Sequence, residues 1–174
     1  MCLLLCIAEC HSVENTVSEH QGRDVNTDIT PEQLTTKMRN SALGSLARRE
    51  HSCYELRQKL LHKFSDPQRT EETIAWVSEL GYLNDERFAG MFVRSSIGKG
   101  RGPERISREL QQKGVASTVI ADALADNETD WVSLAEEILS RKFPHPVQDY
   151  KDKAKRMRFL QYRGFSMAHI GELM

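Results

Sequence analysis

The sequence predicts an all-α fold, an elongated array of three tandem three-helix repeats of helix-turn-helix-like character. Three observations carry that prediction. Apolar side chains recur at helical spacing from about residue 30 onward. Helix-start and helix-stop chemistry interrupts them at short intervals. Finally, Leu60, Leu110 and Leu160 stand 50 residues apart, "QQKGV" (Gln111 to Val115) overlays "QYRGF" (Gln161 to Phe165), and Ile120 falls on Ile170. Internal periods of this length indicate stacked helical units, each too small to bury its own apolar face. No segment combines period-two alternation with turn chemistry at both ends, so strands are not expected.

In chain order, residues 1–30 form a variable, disordered lead-in, with few large apolar residues and no sustained period from residue 11. Thr30 then supplies an N-cap hydroxyl, Pro31 the first helical residue and Gln33 the capping-box partner of a helix running to about Glu50, with Leu34, Met38, Leu43, Leu46 and Ala47 at helical spacing. A second capping box, Ser52 to Glu55, opens a helix striped by Cys53, Leu56, Leu60 and Phe64, and "Ser-Asp-Pro" (Ser65 to Pro67) breaks the chain. The third helix, about Thr70 to Leu80, turns Ile74, Val77 and Leu80 inward and stops at Gly81.

"LGYLNDERFA" (Leu80 to Ala89) raises a choice between chemistry and punctuation for Asp85 and Glu86. With Asn84 as N-cap, the two acids occupy the first helical positions, where carboxylates favour the positive end of the helix dipole. Leu83 and Phe88 then stand at the interval of a hydrophobic staple. A metal site would require further acids or histidines at ligand spacing, and none follows. Gly81, Leu83, Asn84 and Phe88 are therefore predicted to form an inter-repeat joint.

Phe88, Met91, Phe92 and Ser95 mark the next helix, ending near Gly98 and Gly100, and "Gly-Pro-Glu-Arg" (Gly102 to Arg105) opens another that holds Ile106 and Leu110 and closes at Gly114. A short helix holds Ile120, Ala123 and Leu124. The third round runs from Trp131 to Lys142, breaks at "Pro-His-Pro" (Pro144 to Pro146), resumes from Tyr150 to Gly164 and finishes between Ser166 and Met174. The repeats are thus expected at 31–83, 84–127 and 128–174. Trp76 and Trp131 fall on apolar stripes, as core residues or interface anchors.

Composition narrows the function. The longest apolar run, "CLLLCIA" from Cys2 to Ala8, is about a third of the roughly 20 residues a membrane span needs. No Lys or Arg precedes it and Glu9 interrupts it, so a secretory leader is not expected and the cytoplasm is. Cys2, Cys6 and Cys10 align on one helix face, but His11 and His20 stand at no zinc spacing. "GKGRGP" (Gly98 to Pro103) lacks the order of a phosphate loop and follows a helix. It reads either as a phosphate-binding turn using Lys99, Arg101 and the next helix's N–H groups, or as a flexible linker.

The net charge of −1 conceals an asymmetry, because residues 1–37 hold −4 and the remainder +3. Six bases (Arg94, Lys99, Arg101, Arg105, Arg108, Lys113) face two acids between Arg94 and Lys113, and eight (Arg141, Lys142, Lys151, Lys153, Lys155, Arg156, Arg158, Arg163) face two between Arg141 and Arg163. Each stretch reads as a solvated helix face or, repeated in an array, as a surface for a polyanionic partner. No nucleophile, base and orienting group converge, so an enzyme is not expected.

"REHSCYELRQKL" (Arg49 to Leu60), "LGYLNDERFA", "KGRGPERISRELQQKGV" (Lys99 to Val115) and "RFLQYRGF" (Arg158 to Phe165) together resemble the RecX family, bacterial regulators of the RecA recombinase. The resemblance covers about Ala42 to Met174. It implies a cytoplasmic, monomeric, non-enzymatic protein without cofactor or metal, built of tandem three-helix repeats. Such a protein would lie in the groove of the RecA–DNA filament, contact DNA there, and restrain ATP hydrolysis, strand exchange and coprotease activity. The family's positive face corresponds loosely to Arg94, Lys99, Arg101, Arg105, Arg108, Lys113, Lys151, Lys155, Arg156, Arg158 and Arg163, the candidate contacts. The rival reading is a stand-alone nucleic-acid-binding helical module.

Overall fold

The computed structural model describes residues 29–174. Residues 1–28, with the Cys2, Cys6 and Cys10 face and the expected disordered lead-in, lie outside the described residues. The chain folds as helices α1 (Pro31–Leu46), α2 (Cys53–Phe64), α3 (Pro67–Glu79), α4 (Asp85–Gly98), α5 (Pro103–Gln112), α6 (Ser117–Ala125), α7 (Trp131–Lys142), α8 (Tyr150–Arg163) and α9 (Met167–Leu173). Among the described residues there is no strand.

Apolar spacing on these helices produces three separate cores. Met38, Leu56, Leu60, Ile74, Val77 and Leu83 close the first, from α1 to α3. Phe88, Val93, Ile106, Leu110, Val115 and Ile120 close the second, from α4 to α6. Ala135, Ile138, Leu160, Phe165 and Ile170 close the third, from α7 to α9. Leu60, Leu110 and Leu160 are each at most 1% exposed, one per core, so the 50-residue period is a period of core positions. Each such leucine contributes about 1.5–3 kcal/mol by burial. Trp131 packs against both the second and the third core, while Trp76 packs against the first with the Arg39 guanidinium 4.7 Å from its ring centre.

Local chemistry sets the helix ends, in places differently from expectation. α1 stops at Leu46, short of Glu50, where the Ser45 carbonyl takes the amides of both Arg48 and Arg49. α3 begins at Pro67, before Thr70, because Asp66 is its N-cap and accepts the Arg69 amide at 3.0 Å. It ends at Glu79, so Leu80, expected inward, is the C-cap residue beyond the apolar stripe and stands 51% exposed. Thus "Ser-Asp-Pro" ends one helix and starts the next, with Ser65 in the left-handed region at φ 54°. The Ser52 hydroxyl accepts the Glu55 amide at 3.1 Å, but the Glu55 carboxylate turns away to Arg49 and Lys113. A reciprocal capping box appears instead at Ser166 and His169, on α9.

A candidate partner-binding surface

Two junctions place the basic stretches, and both join the second helix of one unit to the second helix of the next. The start of α5 abuts the end of α8: the Gly102 and Glu104 amides donate to the Arg163 and Gly164 carbonyls at 2.8 and 3.1 Å. The donors at one helix's positive end thereby meet the acceptors at another's negative end, satisfying groups that both termini leave open. The approach requires glycine on both sides. A Cβ on Gly102 would stand 2.3 Å from the Gly164 oxygen, and one on Gly164 would stand 2.3 Å from Arg105 Cβ.

The start of α2 abuts the end of α5 in the same way, 50 residues earlier at each partner. The Ser52 hydroxyl donates to the Lys113 carbonyl at 2.6 Å, and Tyr54 covers Gly114 so closely that a Cβ there would stand 2.5 Å from its own. Asp85 completes this junction, its Oδ1 accepting the Cys53 amide at 2.8 Å. The acid that opens α4 therefore also caps α2 of the preceding unit. Burial and the Asp85 charge push the Cys53 thiol up to about 11, which keeps it protonated and unreactive at neutral pH.

The predicted joint residues occupy distinct places around this contact. Gly81 takes φ +73°, and Asn84 caps α4 by accepting the Arg87 amide at 2.7 Å. Leu83 and Phe88 stand at the staple interval, yet Leu83 is buried in the first core and Phe88 in the second. Arg87, which sequence reasoning did not single out, ties the segment together. It donates to Glu50 Oε1 at 2.7 Å and to the Gly81 and Tyr82 carbonyls at 3.0 and 2.8 Å. Its signal was a lone arginine one turn after the cap, indistinguishable in sequence from a solvated charge.

The basic residues divide into two sets. Arg101 and Arg105 both bind Glu109, whose carboxylate holds the Arg105 guanidinium more firmly in its charged form. Lys113 pairs with Glu55 across the α2–α5 junction, and Arg163 donates to the Lys99 carbonyl at 3.0 Å while lying 5.3 Å from the Phe159 ring centre. Arg156 is 6% exposed and spends its donors on Asp152 and the His145 and Pro146 carbonyls. Outward stand Arg94, Lys99, Arg108, Lys151, Lys155 and Arg158. Arg108 and Arg158 occupy equivalent positions of α5 and α8, 50 residues apart. Arg94 shares its groove with Glu86, Asp122 and Asp126, so its surroundings are acidic.

The Gly98 to Pro103 segment keeps only part of the phosphate-turn reading: Lys99 stands exposed, while Arg101 is bound to Glu109. Its helix-start amides are occupied by α8 carbonyls, which leaves no open phosphate cradle there, and the backbone is pinned, which removes the flexible linker. It instead walls a cleft of about 460 Å³ between the second and third units. Leu134, Ile138 and Phe159 floor the cleft, and Lys99, Arg141, Lys142 and Arg163 rim it with Glu137 as the one acid. Among the described residues no three His, Cys, Asp or Glu side chains gather to hold a metal, and no helix is long and apolar enough to cross a membrane.

Fold and surface together define a class: an all-helical protein of tandem three-helix units, locked end to end through their second helices and presenting cations on the second and third. Comparison with known proteins gives the family. Models described as the first, second and third three-helix domains of RecX match residues 39–76, 84–124 and 128–174. The chain is 41% identical over 143 residues to the regulatory protein RecX of Vibrio vulnificus, covering 82% of this chain and 92% of that one. It is 42% identical over 134 residues to that of Halorhodospira halophila, covering 76% and 83%. The crystal structure of RecX from Lactobacillus salivarius superposes with a TM-score of 0.70 at 26% identity, over 81% of this chain and 94% of that one. This chain belongs to the RecX family of regulatory proteins.

Proposed function

We propose that the chain is a negative regulator of the RecA recombinase that lies in the groove of the RecA–DNA filament and restrains ATP hydrolysis, strand exchange and coprotease activity. On this reading it works in the cytoplasm as a monomer, without cofactor or catalytic step, through units bounded at 31–83, 84–127 and 128–174. The observation that carries the reading is the pair of outward, equivalently placed arginines, Arg108 and Arg158, on helices joined start to end by the α5–α8 junction. A filament repeats its acidic and phosphate groups at fixed intervals, and cations held at a fixed interval match it with little ordering cost.

Lys99, Lys151 and Lys155 extend the same surface, and Arg101, Arg105, Lys113, Arg156 and Arg163 support it from within. Arg94 joins the contact set only at its edge. The test is RecA ATPase and strand exchange with Arg108→Glu/Arg158→Glu. Reversing both charges should abolish inhibition at filament-coating stoichiometry while the thermal midpoint stays within about 2 °C, as for surface substitutions. Unchanged inhibition would remove this surface from the mechanism.

A further inference from the structure

We infer that the cleft between the second and third units binds one nucleotide of a single-stranded nucleic acid, its phosphate on Lys99 and Lys142 and its sugar or base on the Leu134, Ile138 and Phe159 floor. The inference rests on the proposed function, since it specifies which component of the filament this part of the chain touches.

Volume, charge and rigidity point to that occupant. The cleft's 460 Å³ lies within the few-hundred-Å³ range of small-ligand sites. Its floor is apolar and its rim cationic, the pairing by which proteins hold a strand whose bases are free to leave the stack. The one acid, Glu137, is paired with Arg141, which leaves Lys99 and Lys142 exposed for the partner's charge.

The site is also built before any partner arrives. Phe143 meets Phe159 edge-on at 5.6 Å and 83°, fixing the ring, and Arg163 lies over that ring with one N–H committed to the Lys99 carbonyl. Arg163 is half-buried and retains further N–H donors and a guanidinium plane, a surface on which a base stacks. Gly100, at φ +67°, lets the loop backbone rest on Ile138, where a Cβ would stand 2.8 Å from Cδ1, and so holds Lys99 at the rim. A duplex, whose bases are already stacked and whose backbones run as two rails, leaves this floor unused.

The test is fluorescence anisotropy of a labelled oligo-deoxythymidylate titrated with the full chain in the absence of RecA. Lys99→Glu/Lys142→Glu should weaken binding at least about tenfold and reduce the salt dependence of log K by about 0.7, one single-strand phosphate contact. Lys37→Glu/Lys59→Glu, the same charge change on α1 and α2, should weaken it less than about threefold, because unpaired surface charges act weakly beyond a Debye length. Equal losses from the two variants would overturn the inference. So would poly-glutamate competing as well as the oligonucleotide at equal charge, or a duplex binding as tightly and depending equally on Lys99 and Lys142. Failure of the wild-type chain to inhibit RecA would remove the proposed function and leave oligonucleotide binding standing. Retained oligonucleotide binding by the double variant would remove the cleft and leave RecA inhibition standing.

Discussion

Replacing Gly164 by alanine should open the joint between the second and third units. Gly164 sits at φ +91°, and the added Cβ would fall 2.3 Å from Arg105 Cβ and 2.5 Å from Arg105 N, which belong to a packed helix. Relief requires α5 to withdraw from the end of α8, breaking the Gly102-to-Arg163 and Glu104-to-Gly164 hydrogen bonds. Left-handed backbone costs a non-glycine residue about 1 kcal/mol and each lost bond about 1 more, for a total of about 3 kcal/mol. With a urea slope of about 2 kcal/mol per M, the midpoint should fall by about 1.5 M. Hydrogen exchange at the Gly102 and Glu104 amides should lose its protection in the same variant. Gly44→Ala, within α1 and with nothing within 4 Å of its Cβ, should instead stabilise by about 0.5–1 kcal/mol. If Gly164→Ala kept both its midpoint and the protection of the two amides, the end-to-end account of the joint would be refuted.

In a background with Cys2, Cys6 and Cys10 changed to serine, Asp85→Asn should lower the Cys53 thiol from about 11, since only burial would then raise it; the pH profile of its reaction with a disulfide reagent reads this directly. Arg156→Ala should destabilise the chain by about 2 kcal/mol in urea, chiefly by leaving the His145 and Pro146 carbonyls without their donor, whereas Lys151→Ala should change it by less than about 0.5. His51 is 4% exposed, and burial holds its pKa below the usual 6.5 despite its contact with the Arg49 carbonyl. The unfolded chain therefore binds the proton first, so stability present above pH 6.5 should decline as pH falls toward the folded value, and His51→Gln should flatten that decline in thermal melts at pH 5 to 7. Burial opposes ionisation of Glu55, yet hydrogen bonds from Lys113 and Arg49 hold its carboxyl below the usual range. Its contribution should persist above pH 4.5 and vanish as pH falls through the lower folded value, a component that Glu55→Gln should lack in acid titration.

Much of the fold was legible because helices are written locally. The 3.6-residue stripes, the caps at Ser52 and Asn84, and the stops at Gly81, Gly114 and Gly164 lie within a few residues of the groups they serve. Errors occurred where one residue has two local uses: Asp66 and Pro67 read as a breaker and proved to be a start. The surface was less legible. Arg101 and Arg105 look alike in sequence to Arg108, and only Glu109, reached by side-chain direction, separates them. Arg156 follows three lysines within its helix, yet it is buried because α8 turns that position under the Pro144 to Pro146 segment.

The sequence by itself determined the nine helices of the described residues, their grouping on three cores and the equivalence of positions 50 apart, because hydrophobic period and capping act over one or two turns. Tertiary structure alone decided what joins the units. Asp85 reaches Cys53 across 32 residues, Ser52 reaches Lys113 across 61, and Gly102 reaches Arg163 across the same 61. No local pattern encodes such pairs, since each depends on where whole helices come to rest once their apolar faces are buried. The same step decided which cations remain free: a carboxylate neutralises the arginine it meets in space, not the one beside it in the chain.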